Sequence, residues 1–264
     1  MQDLKITIIQ SDLAWEDKVR NTALFSKLIE TSGYTDIVIL PEMFSTGFSM
    51  QASKLAEKMD GPTIEWMKTT AAEMNIIITG SFIIEENENY YNRLIWMRPD
   101  GTYDFYNKRH LFSLAGENEI YTQGTERIIV EHKGWKICPL ICYDLRFPVW
   151  SRNQDDYDLL LYVASWPERR MNAWTQLLTA RAIENQCYVA GVNRIGSDGN
   201  NIYHSGNSLL IDPLGKTLWE MIHDRAVYTA TLSSDFLHEV REKLPFLNDR
   251  DSFHIDLEKE NDEE

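Results

Sequence analysis

Short apolar runs alternate with amphipathic stretches from one end of the chain to the other. LKITIIQ (4–10) has the length and character of a strand. VRNTALFSKLIETS (19–32) puts Leu24, Phe25, Leu28 and Ile29 on one helical face before Gly33 ends it. DIVIL (36–40) is a continuous apolar run, the pattern of a strand covered on both faces. PTIEWMKTTAAEMN (62–75) opens with Pro62 in a first-turn position and repeats Ile64, Met67, Ala71 and Met74, which predicts a second helix. IIITGSFII (76–84) and RLIWMRP (93–99), parted by the polar EENENYYN, predict a hairpin, and GTYDFYN (101–107) adds a strand.

The second half repeats the theme. WKICPLIC (135–142) and YDLLLYVAS (157–165) are predicted strands, NAWTQLLTARAIENQ (172–186) a helix and CYVAGVNRIG (187–196) a strand. GNSLLIDPLGKTLWE (206–220) turns back on itself at Pro213 and Gly215. Two β-α-β halves, each trailed by antiparallel strands, predict an α/β protein with helices on the outer faces of its sheets. No Pro/Gly/Ser-rich linker divides them, and the halves agree in pattern, not in letters.

Composition narrows what such a fold can do. The 264 residues are 43% hydrophobic, with 8 Trp, 12 Tyr and 10 Phe, enough for a large core. Against 26 Lys+Arg stand 41 Asp+Glu, a formal net charge of −15. That balance argues against nucleic acid and anionic membrane surfaces as partners, because phosphate contacts rest on basic side chains. Part of the excess lies in DLEKENDEE (256–264), read as a solvated tail. No apolar run approaches the ~20 residues of a membrane span, and MQDLKITIIQ lacks the basic-then-apolar order of a secretory leader. Three cysteines without a CxxC pair point to a reducing cytoplasm rather than a disulfide framework. The six histidines have no HxH or HExxH spacing and there is no glycine-rich phosphate loop, so neither a metal nor another cofactor is implied.

Candidate chemistry sits where buried strands end. Glu42 follows DIVIL in LPEMFSTGF, between apolar strand residues and the aromatics Phe44 and Phe48. A desolvated carboxylate is a usable base near neutrality. Cys142 ends WKICPLIC, whereas Cys138 and Cys187 read as core. Lys108, in FYNKRHLFSLAGENEIYTQG (105–124), can serve as a strand-end solubiliser. Beside a thiol it would instead favour thiolate and donate to an oxyanion. His110 and His204 are the histidines to weigh for a Cys–His pair, but neither stands in a motif of its own. In CYDLRFP, Asp144 and Arg146 can pair with each other or with Glu184, or Arg146 can meet a substrate carboxylate.

LPEMF, YNKRHLF and LICYDLRFP, in this order and spacing, resemble the signature of the nitrilase (carbon–nitrogen hydrolase) superfamily. The similarity runs from KITIIQ through ARAIENQCYVAGVNRIG and HSGNSLLIDPLG. It implies a four-layer α-β-β-α sandwich over residues 1–250, followed by an acidic tail (251–264), and a homodimer, for which FPVWSRN (147–153) and the helix at 172–186 are the candidate surfaces. It also implies a Glu–Lys–Cys triad, which falls on Glu42, Lys108 and Cys142, with Glu117 as auxiliary carboxylate and Glu119 its rival. Phe48, Tyr143, Trp166 and Arg146 are then the candidate substrate contacts. LPEMFSTGFSM, YNKRHLF and CYDLRFPVWSRN together are most similar to bacterial omega-amidases, which release ammonia from the distal amide of 2-oxoglutaramate and 2-oxosuccinamate. Alternatives are a nitrilase, an N-carbamoyl hydrolase or a deaminated-glutathione amidase, and a non-catalytic binding protein on the same fold. A negative protein taking a negative substrate needs local cations, for which Lys108, Arg109, Arg146, Arg169, Arg170 and Arg194 are the reserve.

Overall fold

The computed structural model describes residues 1–256, so the last eight positions of the acidic tail lie outside the described residues. Two sheets lie face to face. The first contains β1 (Leu4–Gln10), β2 (Ile37–Ile39), β3 (Ile77–Glu86), β4 (Asn89–Met97) and β5 (Tyr103–Asn107). The second contains β6 (Val130–His132), β7 (Trp135–Ile141), β8 (Leu159–Ala164), β9 (Tyr188–Asn193), β10 (Ile195–Ser197), β11 (Tyr203–Ile211) and β12 (Thr217–Ile222). β13 (Ala226–Leu232) returns to the first sheet, whose order is β13-β1-β2-β3-β4-β5. The second runs β10-β11-β9-β8-β7-β6, with β12 on β11. In each sheet the buried middle is parallel (β1, β2 and β3; β7, β8 and β9) and the flanks are antiparallel.

Strand parity sorts the core. Ile6, Ile8, Ile37, Ile39, Leu94 and Trp96 join residues of β7, β8 and β9 in one buried cluster between the sheets. Val38, Leu40, Ile78, Ile95 and Met97, of opposite parity, pack with Phe25, Ile29, Ile64 and Met67. Those last four come from α1 (Lys18–Glu30) and, beyond the short α2 (Ala52–Leu55), α3 (Pro62–Met74). After α4 (Glu117–Ile120) and α5 (Pro148–Ser151), the long α6 (Met171–Asn185) covers β9 and β11. α7 (Ser234–Lys243) is the last α-helix among the described residues. The layers are thus helix, sheet, sheet, helix.

The chemistry of single residues sets several boundaries. Pro62 occupies the first turn of α3, and Asn75 ends it in the left-handed conformation (φ 53°). Asp17 caps α1 by accepting from the Arg20 N–H. The hairpin expected to cross EENENYYN is tighter than that: β3 and β4 extend to Glu86 and Asn89, joined by Asn87 and Glu88 alone. Both have positive φ (51° and 63°), the geometry that a two-residue turn between twisted strands demands.

Candidate active site

Glu42, Cys142 and Ser165 follow the ends of the parallel strands β2, β7 and β8, and Lys108 follows β5. The sheet stacking brings these four ends together. Lys108 and Glu42 are buried, and the ammonium stands 2.8 Å from Glu42 Oε1. It also reaches Glu117 Oε1 at 3.0 Å and Oε2 at 2.9 Å. Glu117 is buried while Glu119 is exposed, so the two candidates for the auxiliary carboxylate are separated by geometry. The Phe112 N–H donates to Glu117 Oε2 at 2.6 Å, and the Phe48 ring lies 5.1 Å from the ammonium.

Two partners had no sequence signature of their own. Asn92 Nδ2 donates to Glu42 Oε1 at 2.8 Å and to Glu117 Oε1 at 3.3 Å, tying both acids together. The Ser165 N–H donates to Glu42 Oε2 at 2.8 Å. Asn92 was detectable in principle, since it shares strand parity with Leu94 and Trp96 and so must face the inter-sheet core. Ser165 contributes main chain, which any residue type could supply.

Cys142 begins a short 3-10 turn (Cys142–Arg146) at a φ of +43°. For a residue with a Cβ such backbone costs on the order of 1–3 kcal/mol and persists only where the surroundings over-determine it. Leaving the strand at this point breaks the register with Cys138, which stays buried in β7. The Glu42 carboxylate and the Ser165 main chain both bear on the protonation of the thiol.

Burial dominates the electrostatics. It pushes the Cys142 thiol well above its usual range; the Glu42 carboxylate adds to the rise and Lys108 only partly opposes it. Burial and Glu42 together favour the thiol; Lys108 pulls toward thiolate, as expected of a cation beside a sulfur, without outweighing them. Burial alone would lower the Lys108 ammonium's affinity for its proton, but Glu117 and then Glu42 outweigh it, so the net shift is upward and the lysine stays charged. Glu117 is raised, by burial first, with Lys108 opposing and Glu42 reinforcing.

The cluster opens into a pocket of about 220 Å³. Every candidate substrate contact lines it: Phe48, Tyr143, Arg146 and Trp166, the last almost wholly buried. Arg146 does not pair with Asp144 or Glu184. Its guanidinium lies over Trp166 at 4.9 Å, Asp144 bonds elsewhere, and Glu184 is held by Arg181. Arg169 and Arg170 join Arg146 at the pocket wall, with Arg170 stacked 4.9 Å over Phe112. Of the other cations in reserve, Arg194 turns to Asp12 and Arg109 to the Gly124 carbonyl. Phe44 faces away, packing on Phe25 and Phe82. Trp150 of the expected dimer surface is turned inward, donating to the Tyr106 hydroxyl at 3.0 Å. Among the described residues no group of three or more His, Cys, Asp or Glu side chains is placed to hold a metal ion.

The family model for carbon-nitrogen hydrolases matches residues 5–242. The chain belongs to the carbon–nitrogen hydrolase family. This hydrolase is 46% identical to Omega-amidase YafV of Escherichia coli K12, over 97% of this chain and 100% of that protein. It is 34% identical to the 2-oxoglutaramate amidase of Bacillus subtilis, over 92% of this chain and 96% of that one. A CN-hydrolase superfamily protein of Xanthomonas campestris, crystallised with an arsenic adduct in its active site, superposes with a TM-score of 0.94. It is 45% identical and covers 97% of this chain and 100% of its own.

Proposed function

We propose that the protein is an omega-amidase, cleaving the terminal amide of 2-oxo dicarboxylic acid monoamides such as 2-oxoglutaramate to the 2-oxo acid and ammonia. The observation that carries the reading is the convergence of a buried Glu42–Lys108–Glu117 cluster and the strained Cys142 on one pocket, in a chain 46% identical to an omega-amidase over 97% of its length. In the reaction, Glu42 takes the thiol proton as sulfur attacks the amide carbonyl. Lys108 and the Tyr143 N–H stabilise the oxyanion. As the C–N bond breaks, Glu42 returns the proton to the departing ammonia and a thioester remains on Cys142. Glu42 then takes a proton from water, whose oxygen displaces the sulfur and releases the acid, and that proton returns to the departing sulfur to restore the thiol. Burial and Glu42 hold the sulfur toward the thiol, so its attack needs a base beside it, the role given to Glu42. Glu117 holds the ammonium through both of its oxygens.

Arg146, Arg169 and Arg170 on one wall favour a substrate whose far end is a carboxylate. No ion-pair partner is found for any of the three among the described residues, in a protein of net charge −15. Purified enzyme should release ammonia from 2-oxoglutaramate, and Arg170→Met should raise KM for it by roughly 10–100-fold at an ion-pairing contribution of about 1.5–3 kcal/mol. Turnover of a neutral amide, nitrile or ureido acid but not of 2-oxoglutaramate would reassign the substrate. The same reading includes a homodimer through α6 and residues 147–153, where Ile183 and Val149 are exposed, to be checked by light scattering. Three unpaired thiols suit a cytoplasmic location.

A further inference from the structure

A second buried carboxylate, Asp144, lies behind the site and takes no part in the steps above. It accepts four hydrogen bonds. Its Oδ2 receives the Tyr106 hydroxyl at 2.7 Å and the Ile141 N–H at 3.0 Å. Its Oδ1 receives the His110 N–H at 3.0 Å and His110 Nδ1 at 2.8 Å; since an ionised carboxylate only accepts, Nδ1 carries the hydrogen. These donors come from just two places. Ile141 immediately precedes Cys142, while Tyr106 and His110 flank Lys108 by two residues on either side. Both arms are braced in turn. The Tyr106 hydroxyl accepts from Trp150 Nε1 at 3.0 Å and the Arg109 N–H at 3.1 Å, and the His110 ring lies flat on Phe147 with centres 3.7 Å apart.

One buried carboxylate therefore pins the lysine-bearing segment at both flanks and also pins the turn that projects the thiol. We infer that Asp144 is a positioning residue that sets the separation of the Lys108 ammonium and the Cys142 sulfur, with Tyr106 and His110 as its two arms. The inference rests on the roles proposed above for Lys108 and Cys142. A His–Asp pair near a reactive cysteine has the form of a base and its orienter. Here the imidazole does not line the pocket and is stacked on Phe147, so it holds position and carries no proton to or from substrate. Such a joint matters because a displacement near 1 Å in a reacting constellation can cost roughly 10²-fold in rate. The left-handed backbone at Cys142 also needs a restraint of this kind to keep its aim.

The test uses Tyr106→Phe and His110→Phe, each of which removes one arm; the second keeps an aromatic ring on Phe147. Each should lower kcat by about 10-fold with KM nearly unchanged, and Asp144→Asn by about 10²-fold. The decisive comparison repeats Tyr106→Phe and His110→Phe in a Lys108→Gln background, reading the midpoint of thiolate absorbance of Cys142. If Asp144 acts through the lysine, each arm variant raises the thiol midpoint in the wild-type background and leaves it unchanged once Lys108 is gone. Equal effects in both backgrounds, or a rise in KM with kcat unchanged, overturns the inference. Wild-type activity in Lys108→Gln alone would instead overturn the reading of the site itself, so the two failures are distinguishable.

Discussion

The decisive residue-level feature is the opposition of charges around one sulfur. Glu42 raises the Cys142 thiol and Lys108 lowers it, on top of a larger rise from burial. The signs can be read separately. Difference titration of thiolate absorbance against Cys142→Ala should show the midpoint moving down in Glu42→Gln and up in Lys108→Met. Movement in the opposite directions would mean that neither charge faces the sulfur. Burial pushes the Cys138 thiol up to about 12 and raises Cys187 too, so it is the difference against Cys142→Ala that isolates the one sulfur. The residues alone offered Glu42 and Cys142 as candidates at buried strand ends and left Lys108 open as a solubiliser; it was the resemblance to the nitrilase superfamily that singled out Lys108 and Glu117. Neither route named Asn92 or the Ser165 N–H, since an amide within YYNRLIW and a main-chain donor leave no mark of their own.

Among the elements, those whose burial is local were legible and those that depend on a distant partner were not. DIVIL and YDLLLYVAS announced central strands because both faces are covered, and α1, α3 and α6 announced themselves by period. β13 was missed. Its residues are mostly half-buried and its pairing is with β1, Leu4 opposite Leu232, a contact no window of sequence can contain. α7 and the three-residue β6 were missed with it. Packing between elements makes its own prediction at Gly191 in β9. A Cβ there would come within 2.5 Å of Leu178 Cδ1 and 2.9 Å of Trp174 Cζ2, both on α6. Gly191→Ala should push α6 off the sheet and destabilise by about 1–3 kcal/mol, seen as a lowered midpoint in thermal unfolding. An unchanged midpoint would mean that the helix can shift without loss.

For the whole molecule, the two sheets act as a frame that carries four strand ends to one point. That frame has a measurable pH dependence. His204, on the pocket wall, is lowered to about 4, by burial first and then by the neighbouring Arg194 guanidinium. The folded protein thus binds this proton less readily than the unfolded chain, where the imidazole titrates near 6.5. The resulting stability is complete above that value and is lost as pH falls toward 4, at most about 3 kcal/mol. Urea unfolding across this window should be steeper in pH for wild type than for His204→Gln; parallel curves would contradict the assignment. The central claim, that Cys142 is acylated during turnover, is tested most directly by mass spectrometry. Enzyme turning over 2-oxoglutaramate is quenched in acid, digested, and compared with a sample that also held hydroxylamine. The account predicts substrate less ammonia added to the peptide bearing Cys142, and a hydroxamate product when hydroxylamine intercepts it. An acyl group on any other residue, or product formed with no interception and no adduct, would contradict it.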